Sequence, residues 1–253
     1  KAGDINEDDR VDLLLVDRSC GAHTCYSTIH LDSWDADAET FEDWLAGEPE
    51  MAEPEIRVEE VAGEGRGLEI VLHGGVIGSA GAGPQRARTE IYASDEGGEY
   101  RLFSQEYDAS LCLYHAILDA NELLDNWEKV GFEPAIAAYR AILDDTTLTN
   151  CSAGRVPDEV ATLRDFARYR LIVSYVALGR ANLAQPLLDQ IKHKALHGAA
   201  DAFLKSYRST TSIIQACRDT TRYAVATPDA WQFLVDWGYG NPSFEAEELC
   251  PIR

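Results

Sequence analysis

The fold is decided by the segment Asp4-Ile5-Asn6-Glu7-Asp8-Asp9-Arg10-Val11-Asp12, which runs directly into the apolar stretch Leu13-Leu14-Leu15-Val16. The apolar stretch is typical of a β-strand. Oxygen-bearing groups recur at alternate positions of the segment, so these residues can turn inward around a hard cation while the last carboxylate comes from the mouth of the strand. The spacing predicts a Ca²⁺ site with a backbone carbonyl from Arg10 and side-chain oxygens from the rest of its ligands, which are Asp4, Asn6, Asp8, Arg10 and Asp12.

The sixth position of such a calcium loop makes a sharp turn and usually holds glycine. Asp9 stands there instead. Aspartate tolerates the left-handed backbone conformation better than most residues, so the turn can still form. An acidic surface turn that binds no metal is the alternative interpretation of the same residues.

A weak internal repeat supports the loop. The stretch 3–10 matches the stretch 59–66, with a spacing of roughly 56 residues from Asp4 to Glu60, and each copy runs into a strand. This spacing suits a propeller-like blade of about four strands. The second copy has Ala62 where an oxygen ligand is needed and one extra residue before Glu69. We therefore expect its turn to survive without its metal site.

The pattern Asp4-x-Asn6-x-Asp8-x-x-x-Asp12 before an apolar strand resembles the calcium loop of the FG-GAP or VCBS repeats, known from β-propellers such as the integrin head. The resemblance covers roughly residues 1–105. It implies a β-propeller-type repeat, calcium and an extracytoplasmic setting. The chain as a whole is similar to uncharacterised bacterial secreted proteins or lipoproteins that join such repeats to a tetratricopeptide-like helical segment, and this similarity implies no activity.

The net charge of −22 argues against several partners. Such a chain repels phosphate backbones and anionic membrane surfaces, so nucleic acid is a poor partner. No apolar run approaches the ~20 residues needed to span a bilayer, which predicts no transmembrane segment. The acidity itself fits a solvated surface or the loading of cations.

Six cysteines are present, and only two of them are close in sequence. A zinc site usually needs two close-spaced couples, so the pattern favours disulfides and an oxidising compartment, with free cytosolic thiols as the alternative. One bond would clamp a hairpin tip, one would join the start of the first helix to the end of the antiparallel second, and one would tie down the tail. The expected pairs are Cys20–Cys25, Cys112–Cys151 and Cys217–Cys250.

The chain changes character near residue 105, which predicts an α+β protein with two domains. Residues 1–105 form an antiparallel β domain of propeller-blade-like repeats, and residues 106–253 form an all-α, helical-repeat-like domain. Short apolar runs predict strands at 11–16, 25–31, 68–72, 89–93 and 100–103. Helical spacing predicts helices at 109–127, 132–143, 158–178, 181–195, 198–207, 209–226 and 229–237. The pairs 126–143 and 178–191 resemble the tetratricopeptide pattern, with a plain helical bundle as the alternative.

Other motifs have a chemical alternative to a structural role. Ser19 with His23 suggests a nucleophile and a base, and His23 with His30 suggests a metal, but no acid is placed to orient the histidine. The glycine-rich stretch 74–84 lacks the lysine and the following helix of a phosphate loop, so a hairpin loop is favoured. Arg86 and Arg88 are the close basic pair of an acidic half, to which an anion or acidic partner could dock.

Aromatic residues crowd the C-terminal part, where they favour a core but could line a groove for a peptide or sugar. They are Trp231, Phe233, Trp237, Tyr239 and Phe244.

These observations predict a binding or scaffolding protein that is extracytoplasmic, stabilised by calcium and without catalytic activity, because no catalytic constellation stands out. A secreted hydrolase that uses a carboxylate pair is one alternative. A structural subunit of a cell-envelope assembly is another. The partner would be a protein or a cell-surface group, held on the concave face of the helices between Ala109 and Ala195.

Overall fold

A computed structural model describes residues 2–6, 9–35, 37–61, 63, 67–95 and 97–252 of the chain. The contacts divide it into two compact units, Lys1–Ala109 and Ser110–Arg253. The first unit is built from strands and the second from helices, so the predicted α+β layout is confirmed. No helix in the described ranges is long and apolar enough to cross a membrane.

The first sheet contains five antiparallel strands, β1 (Ala2–Gly3), β2 (Asp12–Cys20), β3 (Cys25–Asp35), β4 (Thr40–Asp43) and β5 (Glu50–Ala52). β2 and β3 form a long hairpin, and β1 pairs with the start of β2. β4 and β5 pair with different parts of β3, so both lie along the edge of β3 that β2 leaves open.

The second sheet contains four antiparallel strands, β6 (Glu55–Glu59), β7 (Glu69–Gly74), β8 (Arg88–Ser94) and β9 (Tyr100–Tyr107). They lie in chain order, each paired with the next. The connection from β7 to β8 contains the glycine-rich stretch and one 3₁₀ turn, Ala80–Ala82. That stretch therefore joins two paired strands, as the hairpin interpretation predicts.

Both sheets contribute to one hydrophobic core in the β unit. Ile29 and Leu31 alternate with less buried residues on β3, whereas the first four residues of β7, which include Ile70 and Leu72, are all buried. Complete burial of each such side chain contributes about 1.5–3 kcal/mol relative to exposure. Alternating burial on β3 and a short, continuously buried apolar run on β7 explain why these central strands could be predicted from apolar residues.

The predicted strands are all present, and each continues beyond its predicted end. The strands that were missed are β1, β4, β5 and β6, and every one of them lies at a sheet edge. Edge strands bury little apolar surface and often carry charge, as the sequence Thr40-Phe41-Glu42-Asp43 of β4 does. Hydrophobic patterning therefore carries almost no signal for them.

The helical unit opens with α1 (Leu113–Asp125), α2 (Trp127–Val130), α3 (Glu133–Asp144) and α4 (Glu159–Ala177). The helix predicted over 109–127 is present as α1, but it starts at Leu113 and ends at Asp125. α4 is buried on nearly every side, with Phe166 and Tyr169 among its fully buried residues. It is therefore the central helix of this unit.

The unit continues with α5 (Ala184–Leu188), α6 (Lys194–Thr210) and α7 (Ile213–Ala226). The predicted helix over 181–195 is not continuous, since α5 ends at Leu188 and His193 caps the start of α6 with its side chain. The second tetratricopeptide-like pair therefore lacks a full second helix. Instead of the helix predicted over 229–237, the chain forms the 3₁₀ turns Pro228–Ala230 and Gln232–Leu234.

The disulfides join Cys20 to Cys25, Cys112 to Cys151 and Cys217 to Cys250, the same pairs that the sequence analysis expects. The first closes the tip of the β2–β3 hairpin, where its two cysteines are the last paired residues. The second links the residue before α1 to the loop before α4. The third links α7 to the C-terminal tail.

Candidate functional site

The predicted calcium loop lies between β1 and β2, and its closing residue Asp12 begins β2 opposite Gly3. Asp12 is buried, with 1% of its surface exposed. Its Oδ2 accepts hydrogen bonds from the backbone N–H groups of Ile5 at 2.7 Å and Asn6 at 3.4 Å. Its Oδ1 is also buried and has no hydrogen-bond partner. A buried carboxylate oxygen without a donor is costly, and a cation would satisfy it.

The loop makes the expected sharp turn at its sixth position. Asp9 has φ 66°, so it adopts the left-handed conformation, and this part of the prediction is confirmed. Its backbone N–H donates to Oδ2 of Asp4 at 3.0 Å. This bond holds the carboxylate of the first loop residue beside the turn at the sixth position.

The predicted calcium ligands differ in how deeply they are buried. Asp4 and Arg10 are exposed, Asn6 is partly buried and Asp12 is buried, whereas Asp8 lies outside the described residues. Among the residues with described positions, no three His, Cys, Asp or Glu side chains are grouped as a metal site. The fit to calcium therefore rests on the unsatisfied oxygen of Asp12 and on the turn at Asp9.

The loop between β6 and β7 repeats the closing arrangement. Glu69 begins β7 opposite Glu59, is completely buried, and accepts a hydrogen bond from the backbone N–H of Val61 at 2.7 Å through Oε2. Its Oε1 is buried without a partner, like Oδ1 of Asp12. Val61 is the second residue of its loop, as Ile5 is in the first. The two loops are therefore equivalent in structure at both ends.

The two loops also meet each other. The backbone N–H of Leu68 donates to the carbonyl of Ile5 at 2.7 Å. The hydroxyl of the fully buried Tyr100 lies 2.8 Å from the carbonyl oxygen of Leu68 and 3.2 Å from that of Ile5. Gly67 has φ +72°, and a Cβ there would lie 2.7 Å from the carbonyl oxygen of Ile5. Only glycine fits this close approach of two backbones.

The glycine-rich stretch and the basic pair of the β unit have structural partners. Thr24 accepts a hydrogen bond from the backbone N–H of Gly78 at 2.8 Å, so the glycine-rich connection packs on the hairpin tip. The guanidinium of Arg88 donates to Glu90 at 2.5 Å, and Arg86 lies over the ring of Tyr107 at 4.4 Å. The basic pair is thus engaged with its own sheet.

The C-terminal aromatics mostly join the helical core. Trp237 is completely buried and stacks on Tyr114, with 3.7 Å between the ring centroids. Trp231, Phe233 and Phe244 pack against the same core. Tyr239 differs from them, since 67% of its surface is exposed.

A second candidate site, which the sequence analysis missed, lies in the helical unit. It is a cleft of about 700 Å³ between the first half of α4 and the α5–α6 connection. We call it the α4 cleft, and its ionic residues are Asp158, Glu159, Arg164, Asp165, Arg168 and Lys192.

Two acids of the α4 cleft are buried and already hydrogen-bonded. Glu159 accepts the backbone N–H groups of Cys151 at 2.7 Å and Ser152 at 2.9 Å, one on each oxygen. Oδ2 of Asp165 accepts the N–H groups of Lys192 and His193, both at 2.7 Å. These bonds position the walls of the cleft, and they hold the chain in the bend that interrupts the helix predicted over 181–195.

The basic groups of the α4 cleft retain unused donors. Arg164 donates from Nη2 to the carbonyl of Asp145 at 2.8 Å, and Arg168 donates from Nη1 to Asp165 at 2.8 Å. The Nε atoms of both arginines are buried and have no hydrogen-bond partner. Lys192 and Asp158 are exposed at the rim. In sequence, the sign of this site is a pair of arginines four residues apart on α4, near Glu159 and Asp165.

Comparison with known protein families, with curated proteins and with solved structures gives no match. The functional conclusions therefore rest on the geometry of the two sites.

Proposed function

We propose that this chain is an extracytoplasmic binding protein whose β unit is stabilised by calcium. The observation that carries the proposal is the buried carboxylate of Asp12, which holds the loop backbone with one oxygen and presents the other without a donor. Calcium prefers carboxylate and carbonyl oxygens and takes six to eight of them. Asp4, Asn6, Asp8 and the carbonyl of Arg10 would supply others from the same loop.

The three disulfide pairs support the compartment, because such bonds persist in oxidising surroundings. Millimolar calcium is also met outside the cytoplasm, where modules bind it with dissociation constants of about 10⁻⁴–10⁻³ M. When bound, calcium would neutralise the acidic loop and tie its first residues to the mouth of β2. The residues of the chain would orient and hold the ion, and no reaction is assigned to it.

The test is thermal unfolding of the full chain with ~10 mM calcium or with a chelator. For a site filled to about 100 times its dissociation constant, binding contributes about 2.7 kcal/mol. Lower saturation gives a smaller shift in the same direction. We expect calcium to raise the melting temperature of the β unit in the natural chain and in Glu69→Gln, but not in Asp12→Asn.

The two variants form a matched pair, because each exchanges one buried carboxylate for an amide that retains an acceptor oxygen. Calorimetry of the natural chain without calcium heat, together with an unchanged melting temperature, would contradict the proposal. So would an equal loss of the calcium response in both variants, since only the first loop carries the full set of oxygens.

A further inference from the structure

We infer that the α4 cleft binds a small molecule through a carboxylate or phosphate group. The inference rests on the proposed role as a binding protein but not on calcium, because every residue of the cleft belongs to the helical unit. The volume of about 700 Å³ is that of a small-molecule site.

The donors of the α4 cleft point to an oxyanion. Arg164 and Arg168 lie four residues apart on α4, so their side chains are neighbours on one side of the helix. Each guanidinium is partly exposed in the cleft, bonds the protein through one Nη atom, and makes no described hydrogen bond with its other Nη atom. Adjacent N–H groups of a guanidinium form a planar fork that matches the oxygens of a carboxylate or a phosphate. A bound oxyanion would therefore accept hydrogen bonds from the Nη groups that the two arginines do not use within the protein.

The two buried acids of the α4 cleft are already engaged within the protein, and the third acid, Asp158, is exposed at the rim. Both oxygens of Glu159 and both oxygens of Asp165 already accept hydrogen bonds from the protein. A cation entering the cleft would find these oxygens occupied, whereas an oxyanion would find open donors. The ligand should therefore supply acceptors.

Charge restricts the ligand further. The three acidic and three basic residues of the α4 cleft cancel, although the chain as a whole carries −22. The cleft can therefore accept one anionic group without the repulsion that the rest of the acidic chain exerts. A polyanion such as nucleic acid would extend beyond this neutral region. The geometry thus favours a compact ligand with a terminal carboxylate or phosphate group.

The experiment is a calorimetric titration of the full chain in a buffer free of calcium and phosphate. Succinate and inorganic phosphate are the anionic probes, and succinamide is the neutral counterpart of succinate. Arg164→Gln and Lys192→Gln each remove one positive charge from the cleft. Lys194→Gln removes the same charge two residues beyond Lys192, outside the cleft, and is the matched control. Circular dichroism of each variant establishes that the helical unit is folded.

We expect at least one anionic probe to bind and succinamide not to bind. Loss of one charge-assisted contact should weaken the anion about tenfold in Arg164→Gln. Lys192→Gln, at the exposed rim, should weaken it by about threefold, and Lys194→Gln should leave it unchanged. Arg164→Lys retains the charge without the planar fork and should also weaken binding. Binding of phosphate alone or of succinate alone supports the inference and identifies the group.

Three results would overturn the inference. They are the absence of binding by both anions at ~10 mM, equal binding of succinamide, and equal weakening in Lys194→Gln and the cleft variants. Asp12→Asn is titrated in parallel and should bind the anion like the natural chain. Failure of anion binding beside an intact calcium response would reject the α4 cleft alone, and the converse would reject the calcium proposal alone.

Discussion

The loop before β2 and the loop before β7 have the same closing carboxylate but offer different groups to their interiors. In each, the first residue of the strand accepts the N–H of the second loop residue and leaves one buried oxygen without a donor. The second loop has Ala62 at the position of Asn6 and is one residue longer. The closing carboxylate therefore has a structural role that does not depend on a full set of metal ligands.

The largest effect is expected where the two loops touch. In Gly67→Ala the new Cβ would meet the backbone of Ile5 and Asn6 and would also strain a left-handed residue. We expect a loss of about 3 kcal/mol in the β unit. Gly63→Ala is the control, since Gly63 has φ +98° but open space around it, and it should cost about 1 kcal/mol. Denaturant unfolding measures both, and equal losses would show that the contact between the loops is unimportant.

The next effect separates the two closing carboxylates in calcium-free buffer. Asp12→Ala removes the acceptor of two backbone N–H groups and should lower the free energy of opening at this loop by about 2–3 kcal/mol. Glu69→Ala removes the acceptor of one backbone N–H group and should lower the free energy of opening at the second loop by about 1–2 kcal/mol. Hydrogen exchange of peptides from β2 and β7 gives the local free energies of opening. If Glu69→Ala leaves the free energy of opening unchanged, only the first loop depends on its closing carboxylate for stability.

Removal of the Tyr100 hydroxyl should have a smaller effect, and it should destabilise both loops equally. Tyr100→Phe removes the hydroxyl that bridges the carbonyls of Ile5 and Leu68 and should cost about 1 kcal/mol. Hydrogen exchange should quicken at the mouths of both β2 and β7. Tyr92→Phe is the control, because the hydroxyl of Tyr92 donates to Glu90 and does not contact either loop. Faster exchange at only one loop would show that the hydroxyl does not join them.

The smallest effect concerns a feature that the two sheets share. Backbone N–H groups in the turn after β3 lower the pKa of Asp35 below its usual 3.8, and those in the turn after β8 do the same for Asp95. A lowered folded-state pKa contributes stability above the unfolded value, and this stability is lost as the pH falls through the folded value. Both turns should therefore weaken below about pH 4.

Asp35→Asn and Asp95→Asn should each flatten the acid limb of the pH–stability curve by a similar small amount. Thermal unfolding between about pH 2 and pH 6 measures this. A change in one variant alone would show that the two turns are stabilised differently.

Much of the first loop could be predicted from sequence because its signals are local. The left-handed turn at Asp9 follows from the position of that residue within nine consecutive residues, and the start of β2 follows from the apolar run beside it. The closing role of Glu69 could be aligned on that of Asp12 with one extra residue allowed for. The donors and the depth of burial at each carboxylate required the structure.

The α4 cleft could not be predicted in the same way. Its walls come from α4 and from the connection near Lys192, so the bond from that N–H to Asp165 spans 27 residues. The same bond explains why the helix that the apolar spacing predicts over 181–195 is interrupted in the structure. A prediction from local periodicity cannot take into account a carboxylate that is distant in sequence and accepts hydrogen bonds from two backbone N–H groups.

The contact of Tyr100 with Ile5 has a consequence for the order of folding. Its partners lie 95 residues apart along the chain, which gives the first loop a high contact order. During synthesis the loop leaves the ribosome well before β9 exists. The residues that come first in the chain therefore reach their final arrangement only after the last strand of the β unit has been made.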